Sequence, residues 1–156
     1  MDLLARRSHF RAELVGKLGR KGYESEEIEA ALDRLTEQGL IDDHRTAEEF
    51  VRSRLARQPT GRFKIQQDLM RRGVDADLAE SVLARMLDGD AEPERAREAA
   101  ERWWVRRAPV IEDEDDWEAR RNRRAALTRH LERRGFARHA IVAAVRETED
   151  AAVSAP

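Results

Sequence analysis

The chain has 156 residues, room for one ordinary domain or a short array of small helical units. Thirty basic against 32 acidic side chains leave a net charge of −2, which excludes a globally polybasic nucleic-acid or membrane-surface protein. The absence of cysteine excludes disulfides, zinc fingers, iron–sulfur ligation and thiol nucleophiles, and makes a reducing cytoplasm the expected location.

Residues 1–10 carry no apolar stretch long enough for a signal peptide, and no run in the chain approaches the ~18 apolar residues of a membrane span. A first helix follows, with Leu14 and Leu18 one turn apart. It ends in the basic pair Arg20-Lys21, then Gly22 at a left-handed terminus, then the apolar Tyr23. Ser25 is read as the N-cap of a second helix, with Glu26-Glu27 in its first turn and a stripe of Ile28 and Leu32. Asp42-Asp43 caps a third, roughly 43–57, with Ala47, Phe50, Val51 and Leu55 on its apolar face; Pro59 and Gly61 close the segment. Ile65, Leu69, Arg71-Arg72, Gly73 and Val74 then restate the first pattern, and Asp75 caps a helix carrying Asp77, Leu78 and Leu83. Pro93 suits the first turn of a helix over 93–107 bearing Ala96, Ala99, Ala100, Trp103 and Trp104, which Pro109 stops. Ile111 to Glu118 is a run of carboxylates and reads as a solvated insertion. Leu127, Leu131, Arg133-Arg134, Gly135 and Phe136 give the pattern a third time, followed by Ile141 and Val145, and the chain from Thr148 onward is expected to fray.

Aligned on Gly22, Gly73 and Gly135, these segments form an internal repeat with spacings of 51 and 62 residues, the excess lying in the acidic insertion. Units this small bury little alone and stack on their neighbours. The expected fold is all-α, an elongated tandem array of three-helix repeats with the last repeat a helix pair. The boundaries are 1–58 for the first repeat, 59–110 for the second, 111–150 for the insertion with the third, and 151–156 for a frayed tail.

The near-zero net charge hides strong local blocks: +4 over residues 43–73, −9 over 74–118 and +7 over 119–139. The densest cluster is Arg120, Arg121, Arg123, Arg124, Arg129, Arg133 and Arg134, with Arg138 close behind, and over 120–124 the helix is polar all round. One reading is a solvated helix whose arginines pair with the acidic run upstream; the other is contact with a polyanion or an acidic protein. Arg52, Arg54, Arg57, Arg62, Lys64, Arg71 and Arg72 make a second, looser basic group, which is either a charged outer face or a further contact surface. The ratio of 27 arginines to 3 lysines fits bidentate phosphate or carboxylate recognition and fits GC-rich coding equally.

No phosphate-cradling glycine loop is present, so no catalytic residue and no cofactor is assigned. His9, His44, His130 and His139 lack metal-ligand spacing, and consecutive carboxylates such as Glu112 to Asp116 cannot all converge on one ion. Asp42-Asp43 is better read as a helix start than as an acid–base pair, and the tryptophans as inter-helix packing rather than base-stacking platforms.

The segments Arg7-Ser8, Glu13-Leu14, Lys17-Leu18 and Lys21-Gly22, then Leu40-Ile41-Asp42-Asp43-x-Arg45-x-Ala47, then Gly61-x3-Ile65-x3-Leu69-x3-Gly73-Val74 resemble the bacterial regulatory protein RecX family over about Leu4 to Glu147. The resemblance implies an all-helical protein that lies in the groove of the RecA recombinase filament on DNA, mainly single-stranded DNA reached through that filament. It implies restraint of RecA's ATP hydrolysis, strand exchange and stimulation of repressor cleavage. No enzymatic activity, no membrane partner and a monomeric state are further expectations for the chain. Family motifs supply no catalytic residue; the basic positions above come from the charge blocks. The competing expectation is an autonomous nucleic-acid-binding helical repeat module.

Overall fold

The computed structural model describes residues 9–87, 91–107 and 116–153, and every described element is a helix. In chain order these are α1 (Arg11–Gly19), α2 (Ser25–Glu37), α3 (Asp43–Arg57), α4 (Arg62–Arg71), α5 (Ala76–Met86), α6 (Glu92–Arg107), α7 (Trp117–Arg133) and α8 (Arg138–Val153). Most of the acidic insertion, residues 111–115, lies outside the described residues, as do the Arg7-Ser8 motif and residues 154–156. α8 continues to Val153, and Thr148 is buried within it, its hydroxyl bonded to the Ala144 carbonyl at 2.7 Å.

The three repeat glycines sit at φ of 89°, 82° and 74°, the left-handed region where a side chain is strained. Each turn closes with the same bond, from the residue after the glycine back to the carbonyl five residues earlier: Tyr23 to Leu18, Val74 to Leu69 and Phe136 to Leu131. Gly39, at φ 67°, closes α2 in the same manner, with Leu40 N–H bonded to Leu35 O at 2.9 Å.

The helix starts use carboxylates. Asp42 accepts from the Arg45 N–H at 2.9 Å and so caps α3. Asp43, already inside α3, accepts instead from the Arg11 N–H at 2.8 Å and caps α1, whose own N-cap residue Phe10 has no side chain able to do so. Asp75 accepts from the Asp77 N–H at 2.8 Å, as the sequence indicates. At α2 the helix begins one residue earlier than expected: Ser25 is its first residue and Glu24 holds the cap position, with the Glu24 N–H donating to Glu27 at 3.3 Å. α6 likewise starts at Glu92, one residue before Pro93.

The chain forms two compact units. The first takes α1, α2, α3 as far as Ser53, α4 from Gln66 and α5. Its core includes a cluster of Leu14, Ile28, Leu32 and Ile41, flanked by Val15, Leu18 and Leu35. The second takes the end of α3, the start of α4, and α6, α7 and α8. Its core joins Ala96, Ala99, Ala100 and Trp103 of α6, Leu127 and Leu131 of α7, and Ala140, Ile141, Ala144 and Val145 of α8, with Phe136. Alanines every third or fourth residue on α6 let α8 approach closely, so the third glycine pair is completed by a helix that precedes it in the chain.

Candidate functional site: two basic helix faces

The arginines that look alike in sequence fall into two groups once their partners are known. In the first unit Arg72 is half-buried: its guanidinium bonds Glu13 at 2.7 Å and lies 4.8 Å from the centroid of the Phe50 ring. Glu13 also meets the His9 ring at 3.3 Å, and Lys17 lies 3.2 Å from that ring. Burial, the largest single influence on Glu13, acts to raise its pKa. The His9 bond, the Arg72 charge, and bonds from Phe10 and Arg72 together outweigh it and hold the carboxyl below its ordinary 4.5. Arg71 is exposed and pairs with Asp68 on its own helix. Arg52 is exposed, and no described residue partners its side chain.

In the second unit Arg134 donates to the Pro59 carbonyl at 3.0 Å. The Gly61 N–H reaches Arg134 O at 2.9 Å and the Phe63 N–H reaches Gly135 O at 3.2 Å. The end of α7 thus supplies acceptors for the orphan donors at the start of α4. This contact is so close that a Cβ on Gly61 would collide with the Gly135 carbonyl, and one on Gly135 with the Lys64 backbone. Sequence reading gives Gly61 only the role of a segment end; its second role, close backbone approach, has no local signal. Arg62 and Lys64 are half-buried beside this junction, the Arg62 N–H bonded to the buried Glu92 at 3.2 Å, and Arg54 is half-buried at the end of α3.

On α7 the polar-all-round segment is resolved by its neighbours. The Arg123 guanidinium lies 4.4 Å from the ring centroid of Trp104 on α6, and Arg124 meets Glu149 on α8 at 3.3 Å. Both continue the seam that Leu127 and Leu131 occupy a turn or two later, so they hold α7 on its neighbours. Arg121 lies 4.8 Å from the ring of Trp117, which is 62% exposed. Arg120, Arg129 and Arg133 are exposed with no side-chain partner among the described residues, and so is Arg57 at the end of α3. The uncommitted positive charge of the candidate set is therefore Arg52 in the first unit, and Arg57, Arg120, Arg129 and Arg133 in the second.

Among the described residues no three histidine or carboxylate side chains gather as a metal site, and no helix is long and apolar enough to cross a membrane. Helix pairs punctuated by one glycine turn, with exposed arginine faces, define an all-helical tandem-repeat protein. The family models for the first and second three-helix domains of RecX match residues 1–35 and 42–83. Regulatory protein RecX of Chlorobium limicola is 40% identical over 136 residues, covering 87% of this chain and 78% of its own. That of Mycobacterium leprae is 38% identical over 141 residues, covering 90% and 78%. The crystal structure of RecX from Lactobacillus salivarius matches the fold with a TM-score of 0.76 at 23% identity, over 95% of this chain and 90% of that one. The chain belongs to the RecX family of regulatory proteins.

Proposed function

We propose that the chain modulates the RecA recombinase by binding its filament on DNA, restraining ATP hydrolysis, strand exchange and co-protease activity without catalysis of its own. The observation that carries this reading, within a RecX family member, is the set of exposed arginines that no carboxylate among the described residues neutralises: Arg52, Arg57, Arg120, Arg129 and Arg133. Unpaired guanidinium groups on a helix face suit phosphate oxygens and protein carboxylates alike. Of the remaining candidates, Arg54, Arg62, Lys64, Arg71, Arg72, Arg121, Arg123, Arg124 and Arg134, several hold the fold together.

The test is RecA's DNA-dependent ATP hydrolysis titrated with the wild type, with Arg129→Glu/Arg133→Glu, and with Arg123→Gln/Arg124→Gln. The first variant is expected to keep wild-type stability and lose most of its inhibition. The second is expected to lose about 1–2 kcal/mol of stability from the broken Trp104 and Glu149 contacts and to inhibit normally where folded. Full inhibition by Arg129→Glu/Arg133→Glu moves the contact off the outer face of α7. No inhibition by the wild type, combined with tight salt-sensitive binding to DNA alone, favours an autonomous nucleic-acid-binding module.

A further inference from the structure

The repeat glycine turns are docking points as well as helix ends, and one of them meets no neighbour among the described residues. In the first unit the Gly73 turn packs on the start of α1: a Cβ on Gly73 would strike the Ala12 Cβ, and Arg72, the residue before the glycine, bonds Glu13. In the second unit the Gly135 turn packs on the start of α4, against Lys64 and Gly61. Counting back from each repeat's own glycine, Ala12 and Glu13 correspond to Phe63 and Lys64, so both turns receive the same place on the first helix of the preceding repeat. The Gly22 turn belongs to the first repeat. It has the same φ sign and the same closing bond, but nothing lies within 4 Å of where its Cβ would be. Arg20 and Lys21 are exposed without a side-chain partner among the described residues, and Tyr23 is 56% exposed.

We propose that the Gly22 turn is a docking site for a helix of a partner protein that presents a small residue followed by a carboxylate. The pattern is Ala12-Glu13, which the Gly73 turn already receives within the chain. Small residues let the turn's backbone come close, and the carboxylate meets Lys21 as Glu13 meets Arg72. Charge selects a foreign helix over a second copy. The corresponding place on the last repeat is Ala125-Ala126 of α7, where the carboxylate is replaced by Ala126, and Arg129, without a partner among the described residues, follows one turn on. Arg129 repels Arg20 and Lys21, which disfavours a second copy of the chain as the occupant. The site shares no residue with the arginine faces invoked for RecA, so either reading can fail alone.

The test transplants the pattern. Ala126→Glu/Arg129→Gly gives α7 the α1 motif, and in sedimentation equilibrium this variant is expected to self-associate with rising concentration while the wild type stays monomeric. Adding Lys21→Glu should weaken that association by about tenfold, as expected when a partly shielded attraction becomes a repulsion. A folded double variant that remains monomeric overturns the proposal. So does a wild type whose self-association Lys21→Glu abolishes, because the occupant is then a second copy. Should the double variant not fold, a synthetic peptide of residues 9–24 titrated onto the wild-type chain decides the matter. Amide shifts confined to Arg20–Tyr23, and about tenfold weaker binding by the Glu13→Lys peptide, support the site. Shifts at Gly73, or none, overturn it.

Discussion

Replacing Gly135 with alanine, beside the same change at Gly22, separates two demands that a glycine turn can make. Both residues have positive φ, 74° and 89°, so each alanine incurs the left-handed penalty of about 1 kcal/mol. At Gly22 that is the whole cost, because the new methyl meets nothing within 4 Å. At Gly135 the methyl collides with the backbone nitrogen of Lys64, which cannot swing away as a side chain would. Relief requires the α7 end to move off the α4 start, at ~1–3 kcal/mol for overpacking. It also stretches the Gly61 and Phe63 hydrogen bonds, each worth about 1 kcal/mol. The expected loss is about 4 kcal/mol for Gly135→Ala against about 1 for Gly22→Ala, a difference of ~1–3 M in urea midpoint for slopes typical of small domains. Far-UV circular dichroism follows both variants. Tryptophan fluorescence follows Gly135→Ala specifically, since Trp103, Trp104 and Trp117 all lie in its compact unit. Equal losses of about 1 kcal/mol in the two variants would refute the claim that the Gly135 turn bears a packing load beyond its own backbone geometry.

Two further outcomes follow from the carboxylates. Asp42→Ala and Asp43→Ala should each cost about 1 kcal/mol but loosen different helices. Hydrogen exchange should accelerate at the α3 start in the first and at the Arg11 amide of α1 in the second; loosening of α3 in both would show that Asp43 acts only locally. For Glu13 the folded pKa lies below its ordinary 4.5, so its contribution to stability is complete above that value and is lost as the pH falls through the lower folded one. Melting temperature measured from about pH 6 to pH 3 should therefore fall on the acid side, and less steeply in Arg72→Gln, whose Glu13 is released toward ordinary behaviour. An identical acid slope in the two proteins would show that Arg72 does not hold Glu13 ionised.

Much of the molecule is written in short-range order. The three glycine turns, the α3 span of 43–57, the Asp42 and Asp75 caps and the apolar stripes of Leu14 and Leu18 on α1 and of Ile28 and Leu32 on α2 depend on groups within about five residues or on helical period, and these read directly off the chain. Gly39 carried the same signal, a glycine followed by the apolar Leu40, but lacks the basic pair that draws attention to the other three. Trp103 was legible as packing for the same reason, lying one helical step from Ala99 and Ala100 on a single face.

What the amino-acid order alone determined is thus the helical class, the repeat and the places where each helix starts and stops, because hydrogen bonds along a helix and its turns join near neighbours in sequence. Only the tertiary structure decided which charges are free. Arg72 meets a glutamate 59 residues away, Arg134 a carbonyl 75 residues away, and Arg124 a glutamate on the following helix, while the side chains of Arg129 and Arg133 on the same α7 have no partner among the described residues. An arginine has the same side chain and charge in every case. Its partner is set by which helices pack together, and that packing rests on backbone approaches, Gly61 on Gly135 and Gly73 on Ala12, between residues far apart in the chain.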